Sequence, residues 1–263
     1  MFKKGLTGFQ IKLIALFLMI FDHVHYFFSF TNKIPLWFTW TGRVVAPIFI
    51  FMTVEGFIHT RSRVKYMGRL YMGSLIMVLG NQWISRWFPR GDDAALMTNI
   101  FATLFLITVY LTIIEYLKKG IKERRIMSVV LGILGLVLPV AIGILMMMNL
   151  HVPGMIHAIF LLPTPMFVEG GPVFIALGIL FYLTRDKKRL QLILYALVSI
   201  ALMPWQNFSL QGIFYDNFQW MMIGALPFLA LYNGQRGKGM KYLFYVFYPL
   251  HIYVLYVLST FFA

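Results

Sequence analysis

Cysteine is absent from this 263-residue chain, and acidic residues are scarce, Asp and Glu together numbering nine. Without thiols there is no disulfide, no thiolate metal site and no cysteine nucleophile. Charged residues of both signs make up only 12% of the chain, against roughly 25% in an ordinary soluble protein. Soluble signatures are missing too: there is no Walker loop, no GxGxxG, no GxSxG and no HExxH. What fills the chain instead is apolar. Hydrophobic residues reach 60%, with several runs near the roughly 20 residues that cross a hydrocarbon core of about 30 Å. The expected fold is all-α, a polytopic transmembrane helical bundle forming one domain over residues 1–263. The run near residues 10–30 is too long for a signal peptide and lacks a small-residue cleavage site.

A net charge of +14 raises the question of nucleic acid. The basic residues argue against it, because they sit in short clusters between apolar runs, the positive-inside pattern of membrane proteins. Spans are expected at about 9–30, 44–58, from after the basic run that ends at Arg69 to about 84, and at about 99–116, 126–148, 172–184, 190–203, 218–231 and 242–261, nine in all. Residues 149–171, with His151, Pro153, His157, Pro163, Pro165, Glu169 and Gly170-Gly171, hold an apolar piece too short to span. They read as a re-entrant or interfacial segment. A cytoplasmic N-terminus in a multi-pass cytoplasmic-membrane protein puts 19 of the 23 Lys and Arg on one side, all but Lys33, Arg43, Arg86 and Arg90. The C-terminus is then external.

Ionisable residues inside a span cost about 2.5–3.5 kcal/mol each on insertion scales and mark functional candidates. The first span carries Asp22, His23 and His25. Asp22 and His25 share a helix face, either as a hydrogen-bonded pair near the interface or as working groups; His23 points about 100° away. The second span carries Arg43, Glu55 and His59. Arg43 either snorkels to headgroups or works, and Glu55 either pairs with a cation such as Arg69 or does chemistry. Asn99 suits a helix cap as well as a site. The last span holds Tyr245, Tyr248, Pro249 and His251. A proline inside a span frees a carbonyl, typically beside a cavity; His251 either lines that cavity or bonds the carbonyl. His23 and His25 have the wrong helical spacing for a two-ligand metal face, and no metal is expected.

The residues in blocks carry a resemblance. Phe21-Asp22-His23, Arg43-Val-Val-Ala-Pro-Ile-Phe, Glu55-Gly56-Phe-Ile-His59-Thr-Arg61, Tyr66-Met-Gly-Arg69, Asn99-Ile-Phe-Ala-Thr, Asn233-Gly234-Gln-Arg236-Gly237 and Lys241-Tyr-Leu-Phe-Tyr245-Val-Phe-Tyr248-Pro249-Leu-His251 together resemble the TraX family. These membrane proteins acetylate the N-terminal amine of conjugative pilin. The blocks cover nearly the whole chain. The family is distantly similar to membrane O-acetylases of envelope glycans, whose first span carries a basic residue, ten intervening positions and a histidine; Lys12 and His23 reproduce that spacing.

The resemblance implies a membrane acyltransferase that moves an acetyl group from acetyl-CoA to an amine or hydroxyl of an envelope peptide or glycan, without nucleic acid. His23 would be the general base, an imidazole suiting proton transfer at neutral pH. Asp22 and Glu55 would tune the histidines, and Arg43 and Asn99 would hold the acceptor or the thioester oxyanion. The CoA donor would fall to Lys12, His59, Arg61, Arg69, Asn233, Arg236, Lys241, Tyr245, Tyr248 and His251, with Gly234 and Gly237 allowing close approach to a phosphate. A proton-coupled transporter or flippase of an envelope precursor is the alternative reading, with the intramembrane Asp, Glu and His as a relay.

Overall fold

The computed structural model describes residues 5–92, 96–239 and 241–263, with only the backbone at Lys241. Ten α-helices lie among them: α1 (Gly8–Phe28), α2 (Trp37–His59), α3 (Arg63–Trp87), α4 (Ile100–Lys122), α5 (Ile126–Met148), α6 (Met155–Leu161), α7 (Gly171–Leu183), α8 (Lys188–Ala201), α9 (Leu226–Leu231) and α10 (Lys241–Ser259). A tighter 3₁₀ stretch, Gln219–Ala225, leads into α9. The protein is an all-α, multi-span membrane-helix bundle.

Among the described residues, five helices are long and apolar enough to cross a membrane: α1, α2, α4, α5 and α10. The expected count of nine is therefore corrected to five. The apolar helix α7 has 13 residues and α8 has 14, each rising about 20 Å where about 30 Å is needed. The stretch Gln219–Leu231 is equally short. Helix α3 has 25 residues and enough length, but Arg63, Lys65, Arg69, Asn81, Gln82 and Arg86 dilute its apolar character. Apolar density alone does not reveal where a helix stops. In the segment expected not to span, the seven-residue α6 is far too short to cross.

The chain divides into two compact units. The first comprises residues 1–52, 82–96 and 184–263. Its α1 and α10 run parallel, as three ring pairs show: Phe9 with Phe244, His23 with His251, and Phe27 with Tyr256. A capping box between Thr7 and Gln10 starts α1. Its Gly8 and Phe9 N–H groups donate to the Gln235 and Arg236 carbonyls at 2.8 and 3.0 Å. Orphan donors that would otherwise need water or a ligand are thus satisfied by the 233–239 loop. Gly237 makes this approach feasible: its φ is +72°, and a Cβ there would meet Thr7 Oγ1 at 2.7 Å. At the other end, buried Arg90 donates to the Phe27 carbonyl at 3.1 Å and Ser259 Oγ at 3.2 Å. Asp92 neutralises it at 2.6 Å. Both ends of the α1–α10 pair are pinned.

The second unit comprises residues 53–81 and 97–183. Its α4 and α5 form a hairpin whose contact face is glycine: a Cβ at Gly132 would meet Leu117 Cβ at 2.9 Å, and one at Gly120 would meet Ser128 Cβ at 2.8 Å. The remaining face of α5 is apolar and bare, including Leu131, Leu134, Leu138 and Leu145, as suits a helix surrounded by lipid. Polar side chains tie α3 to the start of α4. Asn99 Oδ1 caps α4 by accepting from the Ala102 N–H, and its Nδ2 donates to the Ser74 carbonyl and hydroxyl at 3.2 and 3.0 Å.

Candidate functional site

In the first unit the residues of the Phe-Asp-His and Tyr-Pro-x-His blocks meet. His23 is buried, with 8% of its surface accessible. Its Nδ1 lies 2.9 Å from Nε2 of His251, and the rings are 4.8 Å apart between centroids. His251 Nδ1 lies 2.8 Å from the Phe247 carbonyl. That carbonyl is not the one Pro249 frees, which is four residues back, at Tyr245. The His251 ring stacks on Phe247 at 4.9 Å, while Tyr248, itself buried, presents a ring edge to both imidazoles. Tyr26 flanks His23 from its own helix.

One helical step away, Asp22 faces α2. It accepts from Thr39 Oγ1 at 3.0 Å and stands 3.7 Å from Arg43 Nη2. Its hydrogen-bond partner is thus on a neighbouring helix rather than His25 on the same face of α1. Gly42 makes room, since a Cβ there would overlap the Asp22 carboxyl group. Arg43 donates from Nη1 to Gln219 at 3.1 Å and lies over the Phe218 ring. Its Nε is buried without a hydrogen-bond partner, and 30% of the side chain remains exposed. Each Nη carries two N–H groups, so donors remain beyond those turned to Gln219 and Asp22.

Lys12 projects from the same face of α1 as His23, since 11 residues return a helix to within about 20° of its starting direction after about 16 Å of rise. Its Nζ sits 4.3 Å from the Phe244 ring centroid, and Arg236 is near enough to act on it electrostatically. Arg236 and its neighbours from Gly234 to Gly239 are exposed. Asn233 donates to the Gly5 carbonyl at 3.4 Å and accepts from the Gln235 N–H at 2.9 Å, so it shapes the loop. The Lys241 side chain lies outside the described residues.

Tyr245 lies half-buried on α10 of the first unit, and the second unit holds Glu55, His59, Arg61, Arg69 and Asn99. Exposed His59 turns Nδ1 to the Glu55 carbonyl at 2.9 Å. Arg61 is exposed, and Arg69, also exposed, lies over the Tyr66 ring. Glu55 is half-buried, and next to it Gly56 lets Tyr66 close in, because a Cβ there would meet Tyr66 Oη at 2.7 Å. Asn99, as described, is committed to its cap and to Ser74.

A family model described as "TraX protein" matches residues 7–259. The chain belongs to the TraX family. The match takes in both units and every residue named so far as a candidate. Among relatives of this TraX-family chain is the "Probable fimbrial assembly protein FimC, serogroup H1" of Dichelobacter nodosus, 27% identical over 262 residues that cover 95% of this chain and 94% of the relative. No solved structure matches.

Three residues escaped the reading of the sequence. Glu115 in α4 bonds Tyr182 Oη through Oε1 at 2.7 Å and Arg63 through Oε2; the signal was an acid one turn before the Lys118-Lys119 cluster. Arg90 counted only as an exception to the charge pattern, although an unexplained cation on the cation-poor side was a reason to look for a buried partner. Gln219, the hydrogen-bond partner of Arg43, carries no signal in sequence.

Proposed function

We propose that this TraX-family protein is a membrane-embedded acyltransferase that moves an acetyl group from acetyl-CoA to an amine or hydroxyl of an envelope substrate, with His23 as general base. The observation that carries the reading is the buried imidazole of His23, bonded to His251, with Arg43, whose Nε is unpartnered, near enough to act on it electrostatically. Imidazole takes a proton near neutral pH, and a general base in the site contributes typically about 10²–10⁴-fold. As the acceptor nitrogen or oxygen attacks the thioester carbon, its proton passes to His23. The carbon–sulfur bond then breaks, and the same proton is returned to the departing thiolate. The open donors of Arg43 suit the oxyanion that forms between these steps.

The donor reading rests on Lys12 and Arg236, two cations near enough to act on each other and, among the described residues, without an acid paired to either, suited to the pyrophosphate of CoA. The backbone N–H groups of the α1 N-terminus are already bonded to loop carbonyls, so phosphate recognition falls to these side chains. The rise of about 16 Å from Lys12 to His23 is of the order of an extended pantetheine arm. On this reading the Lys12 end of α1 faces the cytoplasm, where acetyl-CoA is made, the side that the charge bias favours. A relative named for fimbrial assembly fits a peptide acceptor in the envelope.

The reading is tested by incubating purified protein with radiolabelled acetyl-CoA and membrane extract. Label transferred to an envelope peptide or glycan is the expected result. Proton uptake by reconstituted vesicles, without any transfer of label, selects a proton-coupled transporter or flippase that uses the imidazole pair as a relay.

A further inference from the structure

We infer that His251 is a positioning residue for His23, holding the His23 imidazole in the tautomer that carries its proton on Nδ1 and leaves Nε2 bare. The geometry of the pair stands on its own; its kinetic consequence rests on the acyl-transfer reading.

The inference follows from donors and acceptors. A backbone carbonyl only accepts, so the Phe247 carbonyl, 2.8 Å away, requires a proton on His251 Nδ1. A neutral imidazole has one N–H, so His251 Nε2 is then a lone pair. Facing that lone pair at 2.9 Å is His23 Nδ1, which must donate. The chain of bonds therefore runs from His23 Nδ1–H to His251 Nε2, and from His251 Nδ1–H to the Phe247 carbonyl. The Met19 carbonyl, one turn back on α1, is a second acceptor at the His23 ring. Nδ1 is the ring nitrogen that reaches such a carbonyl in both His59 and His251, so this contact favours the same proton position.

A cationic His251 donating to a bare His23 Nδ1 is the other arrangement that satisfies the carbonyl. The surroundings oppose it. Asp22, the carboxylate beside His23 in the chain, is turned to Thr39 and Arg43, and the rings of Tyr26, Phe27, Phe247 and Tyr248 pack around the pair. A positive charge there has no bonded counter-ion among the described residues and adds to that of Arg43.

Fixing the tautomer matters because the nitrogen that takes the substrate proton must be unprotonated and aimed. In serine proteases, where an aspartate orients the catalytic histidine, disturbing that aspartate leaves the wrong tautomer and costs about 10⁴-fold in kcat. When His23 takes a proton on Nε2, its Nδ1–H bond to His251 becomes charge-assisted and strengthens, so His251 also stabilises the transition state.

The experiment uses the full chain in lipid nanodiscs with ¹⁵N-labelled histidine, the His23 signals being identified by their loss in His23→Gln. The ¹⁵N shifts report which ring nitrogen is protonated, independently of turnover. The expected wild-type result is a protonated Nδ1 and a bare Nε2. His251→Gln supplies a side-chain carbonyl to accept the same hydrogen bond, and should keep this tautomer and turnover within about tenfold. His251→Leu supplies no acceptor; it should give mixed tautomers and a kcat lower by about 10²-fold, with an unchanged KM for acetyl-CoA. A wild-type His23 protonated on Nε2, or equal turnover in the Gln and Leu variants, overturns the inference. The expected tautomer in a wild-type protein that transfers no acetyl group leaves the positioning intact and removes the acyl-transfer reading instead. The wild-type spectrum decides the tautomer even if neither variant folds.

Discussion

In the second unit Glu115 has a partner on each carboxylate oxygen, Tyr182 on one and Arg63 on the other. In the first unit Arg43 has a buried Nε with no hydrogen-bond partner and a long ion pair, 3.7 Å, to Asp22. Both arrangements put charge among apolar helices, where an unmet donor or acceptor costs free energy. A saturated network such as that of Glu115 stabilises its fold and has little left to offer a ligand. An unsaturated one keeps donors available, and a fold tolerates that where a substrate completes the set. The contrast separates structural polarity from working polarity without reference to which residues a family shares.

The strongest challenge to that contrast is His23. His23→Gln and His23→Ala should insert and purify like wild type, still bind CoA, and lose acetyl transfer by about 10²-fold or more. Near-normal turnover in a folded His23→Ala protein would remove the base from the unit in which the contrast places it.

Gly42 probes the same unit through packing. Gly42→Ala drives a methyl group into the Asp22 carboxyl group and should destabilise the protein by about 1–3 kcal/mol, the usual cost of overpacking. In a double-mutant cycle, Gly42→Ala with Asp22→Ala should cost clearly less than the two single changes added together. Simple additivity in thermal unfolding would show that the two residues do not compete for the same space.

Replacing both Lys12 and Arg236 by Ala should raise the KM for acetyl-CoA about tenfold and leave kcat nearly unchanged, because phosphate contacts hold ground state and transition state alike. A fall in kcat at constant KM would move these cations from donor binding to chemistry.

The smallest effect belongs to the saturated network. Glu115→Gln should lower thermal stability by about 1 kcal/mol, because Arg63 is partly in solvent and the ion pair is screened. Turnover per folded molecule should not change. A large loss of activity in a stable Glu115→Gln protein would mean that saturated polarity works here too.

Many of the blocks that carry the family resemblance turn out to be halves of contacts. Gly56 admits Tyr66, Gly42 admits Asp22, Gly237 admits Thr7, and His23 meets His251. The sequence shows each half but not the pairing, because the partners lie 10 to 230 positions apart and no helical period links them. For the same reason Asn99 reads equally well as a cap or a ligand until its three hydrogen bonds are seen.

Composition alone decided that the chain is a bundle of membrane helices. Apolar runs of that length have no stable place in water, and in lipid the backbone must satisfy its own hydrogen bonds. The spacing of Lys12 and His23 was likewise legible, since a helix carries residues 11 apart onto one face. The number of crossings was not. It depends on where each helix stops, which proline, glycine and packing settle in three dimensions, and so nine expected spans became five. Nor was the partner of His23 legible. Only the parallel packing of α1 on α10, pinned at one end by the loop carbonyls and at the other by Arg90, brings the two imidazoles to 2.9 Å, because hydrogen bonds between distant segments form only when the fold has removed the water between them.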